Sequence, residues 1–149
     1  MRQPVQVAVY CVRQHDDGWE YLLLHRVPKG GSFWQGVTGG MEDDENPNAA
    51  AVRELFEETG YVSKSIENIN FSYTFKVDEK WRHLYGDEVD MITELVFVAI
   101  VDDNKEPDLG SGEHDDWRWC LFNEAQKLLF WPGNKKSLEH CREHLEKTR

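Results

Sequence analysis

The sequence predicts an α/β fold in which a sheet of mixed strand direction lies between helices. Three observations point there. Short runs rich in β-branched and aromatic residues recur through the chain. The first two of these runs are separated by only a tight turn, so they must pair antiparallel. Helix-patterned segments are spread between and after the strands rather than gathered in one block. At 149 residues with 40% hydrophobic content, the chain fits one domain spanning 1–149, with enough apolar material for a core.

Residues 6–13 read as the first strand. His15-Asp16-Asp17-Gly18 is a turn, and residues 19–26 are the second strand of a hairpin. Residues 28–32, with Pro28, Gly30 and Gly31, are a loop, followed by a short strand over 34–38 that runs into Gly39-Gly40. Asn46 offers an N-cap side chain, Pro47 suits the first helical position and Gly60 the C′ position, so a helix is expected over 47–59. Residues 69–77 and 92–101 read as strands; the polar, aromatic stretch 78–90 between them fits no element. A long acidic loop over 102–116 carries Pro107, Gly110 and Gly112. A strand over 117–121 and helices over 123–129 and 134–147 complete the chain. No internal repeat or linker interrupts it.

The formal net charge is −11. Such a chain does not hold a nucleic-acid duplex by general electrostatics. It would also repel a phosphorylated small molecule unless its carboxylates collect cations. The apolar runs fall well short of the ~20 residues needed to cross a bilayer, and the start of the chain does not read as a signal peptide. Cys11, Cys120 and Cys141 are isolated and odd in number, as expected of thiols in a reducing cytoplasm.

The chemistry concentrates between Gly39 and Tyr61. Gly39 is followed after five residues by Glu45, and after seven more by Arg53-Glu54-Leu55-Phe56-Glu57-Glu58-Thr59-Gly60-Tyr61. At 100° per helical residue, Glu54, Glu57 and Glu58 share one face, while Val52, Leu55 and Phe56 lie opposite and would pack on the core. Three carboxylates this close repel one another and raise one another's pKa. Hard cations with oxygen ligands, Mg²⁺ or Mn²⁺, relieve that repulsion.

This spacing resembles the Nudix box, G-x5-E-x7-R-E-U-x-E-E-x-G-U with U a bulky aliphatic residue, and departs from it only in Tyr61 at the final packing position. The resemblance implies the Nudix α/β/α sandwich and hydrolysis of a pyrophosphate bond. It implies Glu57 and Glu58 as principal metal ligands, Glu54 as a further ligand or a base, and the Thr38 carbonyl in the metal shell. Glu45, Arg53 and Gly60 would support the loop–helix geometry, Arg53 also belonging to the catalytic group. Residues 33–39 are similar to the segment before the box in dihydroneopterin triphosphate pyrophosphatases, also called dATP pyrophosphohydrolases. Glu113-His114-x-x-Trp117-x-Trp119 resembles the loop and strand that close their site. Gly40 and Asp44 depart from that subfamily.

The same resemblance implies a substrate contact at Arg26 and a catalytic Glu113, with His114 the competing base; Trp34, Gly39 and Gly40 are further candidates to bind substrate. The expected substrate is a small nucleotide or pterin triphosphate cut to monophosphate and pyrophosphate. The alternatives are another pyrophosphate, such as a dinucleoside polyphosphate, a nucleotide sugar or an RNA 5′ end, and a binding module without activity. Trp34, Tyr73 and Phe75 are candidates to stack on a flat ring, although aromatics in strands more often belong to the core. His140-Cys141-Arg142-Glu143-His144 has the spacing of a zinc motif but no third ligand. The stretch from Asp102 to Pro107 lacks the glycine that a calcium loop requires.

Overall fold

The computed structural model describes residues 2–101 and 105–147. Strands β1 (Val5–His15) and β2 (Gly18–Arg26) form the expected hairpin, with Gly18 at φ 124 in its turn. β3 (Trp34–Gln35) and β4 (Val37–Gly40) follow, then helix α1 (Pro47–Thr59) and β5 (Ser65–Lys76). β6 (Met91–Ile100), β7 (His114–Leu121), α2 (Phe122–Leu128) and α3 (Pro132–Lys147) complete the order. The sheet is mixed: β1 runs parallel to β6 and antiparallel to β2 and β4, and β5 pairs antiparallel with β6. The fold class read from the sequence is the one observed.

One expected strand is two. Residues 34–40 break at Gly36, β3 pairing with β2 and β4 with β1. The break follows from a fork in the sheet. β1 pairs with β2 only over 12–15 and with β4 over 6–9, so segment 34–40 fills the gap between the diverging arms. Gly36 is required there because a Cβ would meet the Tyr10 ring at 3.0 Å and the Val9 carbonyl at 3.3 Å.

Apolar side chains pack on both faces of the sheet. On one, Val7, Val9, Leu22, Leu24 and Phe97 meet Ala50, Ala51 and Leu55 of α1. On the other, Ala8, Tyr10, Val96 and Val98 meet Leu138, Cys141 and Leu145 of α3. The three cysteines are buried and unpaired. The amphipathic reading of α1 needs correction. Leu55 is buried, but Val52 is 48% and Phe56 58% exposed. The buried arc runs instead through Ala50, Glu54, Glu58, Ala51 and Leu55, rotated by roughly 100° from the purely apolar face. The helix turns two of its glutamates inward, because the second face it must satisfy is polar.

The stretch 78–90 contains a 3-10 turn over Glu79–Leu84, whose Asp78 side chain accepts from Lys80 N. Beyond it Tyr85 packs with Val77 and Ile92 in a small separate cluster. The zinc-like spacing on α3 serves packing: His140 stacks on Phe71 at 3.9 Å, and His144 Nε2 lies 3.0 Å from Glu67 Oε1. Part of the calcium-like stretch, Asp102 to Asn104, lies outside the described residues. No helix is long and apolar enough to cross a membrane among the described residues.

Candidate active site

Asn46 caps α1 as expected: its Oδ1 accepts from Ala49 N at 2.8 Å. Gly60, at φ 75, ends the helix and donates its N–H to Phe56 O at 2.8 Å. These two ends fix which turn of the helix faces the preceding loop. Arg53 then joins loop, helix and strand. Its Nε and Nη2 donate to Glu45 Oε2 and Oε1 at 2.6 and 2.8 Å, a fork-to-fork pair. Nη2 also donates to Gly40 O at 3.0 Å, and Nη1 to Glu54 Oε1 at 2.8 Å and Glu57 Oε1 at 3.0 Å.

The glycine of the motif has a steric reason. A Cβ on Gly39 would sit 2.0 Å from the Glu54 carboxyl carbon, so the carboxylate lies directly on the bare Cα. Burial pushes the Glu54 carboxyl up to about 7, against the opposing pull of Arg53. Gly40 is less constrained: a Cβ there would meet only the movable Arg2 side chain.

Glu58 is 2% exposed. Its Oε2 accepts from Ser111 Oγ at 2.8 Å, and His114 Nδ1 lies 2.9 Å away. That approach is short but off the axis of the ring N–H, which makes no well-aligned hydrogen bond. The far ring nitrogen, Nε2, lies 3.0 Å from Gln35 Nε2, so His114 is held on both sides and buried. Burial would raise the Glu58 carboxyl, but His114, Glu113 and Ser111 outweigh it and hold it below the usual range. Glu113 goes the other way: its hydrogen bond with Glu58, then burial, raise it, while the Arg26 charge works against them. Two carboxyl groups that share one place cannot both ionise readily. Glu113 is brought there by the start of β7, where its carbonyl accepts from Val27 N at 3.1 Å.

Glu54, Glu57, Glu58 and Glu113 line one cleft of 1880 Å³, together with Thr38, Gly39, Gly40 and Arg26. Arg26 lies against Gly30, where a Cβ would meet its Nε at 2.7 Å, and that Nε is buried without a hydrogen-bond partner. It is a cationic donor lacking an acceptor. Among the described residues, no three acidic, histidine or cysteine side chains yet converge as an ion would require. Arg53 accounts for much of this, since it holds Glu54 and Glu57 to itself.

Among the sequence candidates for substrate contact, Trp34 is the exception. It does not line the cleft. Strand alternation sends it away from Gln35; it packs against His25 at 5.0 Å between ring centroids and against the core on the α3 side. Its neighbours Phe33 and Gln35 face the cleft instead. Trp34→Ala is therefore expected to leave KM for a triphosphate unchanged and to lower Tm by roughly 5–10 °C. A raised KM with an unchanged melting curve would return Trp34 to the site. Tyr73 and Phe75 do line the cleft, as do Trp81 and Trp131, both about half exposed. The last two escaped the sequence reading because each lies in a short irregular segment without periodicity.

A model of the NUDIX domain matches residues 3–141. The chain belongs to the Nudix family of hydrolases, which act on phosphoric anhydride bonds and generally use a divalent metal ion. Dihydroneopterin triphosphate diphosphatase of Haemophilus influenzae is 30% identical over 141 residues, covering 92% of this chain and 85% of that one. An octanoyltransferase of Myxococcus xanthus is 29% identical over 135 residues; the match covers 91% of this chain but only 36% of that protein's length. The solved structure of E. coli dihydroneopterin triphosphate pyrophosphohydrolase superposes with a TM-score of 0.77 at 25% identity, covering 93% and 94% of the two chains.

Proposed function

We propose that this chain hydrolyses dihydroneopterin triphosphate or a purine deoxynucleoside triphosphate between the α and β phosphates, releasing a monophosphate and pyrophosphate. The observation that carries the reading is the placement of Glu113 on Glu58, 55 residues apart in sequence, beside Glu54 and Glu57. The donor set is all hard oxygen, and the mutual repulsion within it is what a divalent cation relieves, so the residues fit Mg²⁺ or Mn²⁺. Glu57, Glu58, Glu54 and the Thr38 carbonyl would hold the ion. When bound, such an ion neutralises phosphate charge and lowers the pKa of an attacking water.

The remaining chemistry belongs to the chain. Arg26 gives its orphaned Nε–H to a phosphate oxygen and holds the triphosphate at the loop. Gly39 leaves room for the Glu54 carboxylate, and Gly40, faced only by the movable Arg2 side chain, lets the phosphates approach the backbone. Glu113, its carboxyl raised by its bond with Glu58, takes the proton from water. The water oxygen bonds to phosphorus as the bridging P–O bond breaks, and pyrophosphate leaves. Arg53 and Glu45 keep the glutamates of α1 aimed at this point.

The test is a substrate panel with Mg²⁺ and with Mn²⁺, run in ¹⁸O-water with products read by ³¹P NMR. The panel includes a dinucleoside polyphosphate, because the cleft exceeds the ~300–1,000 Å³ of an ordinary small-molecule site. Pyrophosphate and a nucleoside or pterin monophosphate are expected. Failure to hydrolyse either triphosphate with either metal would overturn the reading; cleavage of the dinucleoside polyphosphate alone would move it to that class.

A further inference from the structure

β6 carries one charged residue in its apolar middle: Glu94, between Ile92 and Val96. It is 2% exposed and faces the α3 side, the face of Val96 and Val98. Tyr73 Oη donates to its Oε1 at 2.7 Å, and Gln6 Nε2 donates to its Oε2. Asn134 of α3 in turn donates to Tyr73 Oη at 3.1 Å. None of these partners is a cation. A buried carboxylate held by two neutral donors is costly, and an apolar side chain would serve the sheet better. A carboxylate offers about four acceptor positions; two are occupied here.

Glu94, Gln6, Tyr73 and Asn134 line the same cleft as the glutamates of α1. The strand register sets their distance from the phosphate end. Gly40 pairs with Gln6, Gln6 with Glu94 and Glu94 with Tyr73, forming one row across four strands. At the usual strand spacing, Glu94 lies roughly 10 Å from Gly40, about one nucleoside's length from the residue to which Arg53 is tied. The Tyr73 ring, against which Gly133 packs, supplies an aromatic wall beside the row.

We propose that Glu94 reads the heterocycle of the substrate, accepting a ring N–H and the exocyclic amino group beside it. This is the edge shared by guanine and pterin. Adenine presents its amino group beside a bare ring nitrogen, an acceptor that would face the carboxylate. Gln6 and Tyr73, by donating to Glu94, hold its oxygens toward the incoming edge. The assignment rests on the hydrolytic reading above and narrows its substrate class.

The experiment compares wild type with Glu94→Gln. Kd values for dGMP and dAMP are measured by calorimetry without metal, and kcat/KM for dGTP, dATP and dihydroneopterin triphosphate with Mg²⁺. Wild type is expected to prefer the guanine ligand over the adenine one by about 10- to 100-fold in both measurements. In Glu94→Gln that ratio is expected to collapse, because the guanine ligand loses its carboxylate acceptor while the adenine ligand no longer faces one. The pterin arm shows which source of the shared edge is taken. Equal or reversed preference in wild type, or an equal loss for all ligands in the variant, overturns the proposal. If no triphosphate is hydrolysed, the hydrolytic reading falls and the metal-free binding ratio decides this one. Should Glu94→Gln be unfolded, Glu94→Asp, which withdraws the carboxylate by one methylene, must reduce the same ratio.

Discussion

Glu57→Gln is expected to lower kcat by roughly 100- to 1,000-fold while leaving the melting temperature within about 2 °C. The structure separates these two effects. Glu57 is exposed, and its side chain accepts from Arg53 Nη1, one of several bonds that Arg53 makes. Glutamine retains helix propensity and nearly the same shape, and a surface pair of this kind contributes little to stability. What it removes is a charged oxygen donor in the group proposed to hold the metal. Losing several kcal/mol of transition-state stabilisation at 1.36 kcal/mol per decade gives the stated fall. The measurement is steady-state kinetics across a Mg²⁺ titration, beside thermal melts. Near-wild-type turnover at every Mg²⁺ concentration would remove Glu57 from the proposed ligand set.

Glu113→Gln and His114→Ala are expected to fail differently. Glu113 is exposed at the cleft, where Glu58 raises its carboxyl. Its glutamine variant should lose about 10²–10⁴-fold in kcat, the range of general acid–base catalysis, with little change in KM or Tm. His114 is 6% exposed, with Gln35 on one ring nitrogen and Glu58 beside the other. In that position it serves Glu58 rather than water. His114→Ala should lower Tm by several degrees, because Gln35 and Glu58 lose a buried neighbour. Any loss of rate in it should follow the loss of structure. If the histidine variant folds normally and alone loses kcat, the base is His114 and Glu113 is only a neighbour of the metal group.

The parts of this molecule written in local chemistry were legible in the sequence. Asn46, Pro47 and Gly60 marked the ends of α1, because capping is decided by single residues at fixed offsets. The hairpin of β1 and β2 was legible for the same reason. β5 begins at Ser65, before its apolar run; that start was hidden because Glu67 and Asn68 lie exposed and Asn70, at φ 59, interrupts the register with β6. The cleft floor was hidden more deeply. Gln6, Tyr73 and Glu94 meet only through strand pairing, and no periodicity links positions so far apart. A signal was nonetheless present: one glutamate within an apolar strand, where a charge has a cost. The inward turn of Glu54 and Glu58 defeated the helical wheel, since a wheel ranks residues by hydropathy and cannot know that the neighbouring surface is polar.

The fork in the sheet has a consequence for how this sequence can change over time. Segment 34–40 is wedged between two arms, with Gly36 against the Tyr10 ring and Gly39 beneath the Glu54 carboxylate. Adding or deleting one residue there would exchange the outward and inward sets, turning Phe33 and Gln35 from the cleft and Trp34 into it. It would also move Gly39 off the only spot where its bare Cα is needed. The segment therefore behaves as a fixed gauge between the loop that meets the phosphates and the helix that carries the glutamates. A change of length costs least where no arm grips, such as the irregular stretch between β5 and β6. An insertion there would reshape that end of the cleft and leave the spacing of the reacting end as it is.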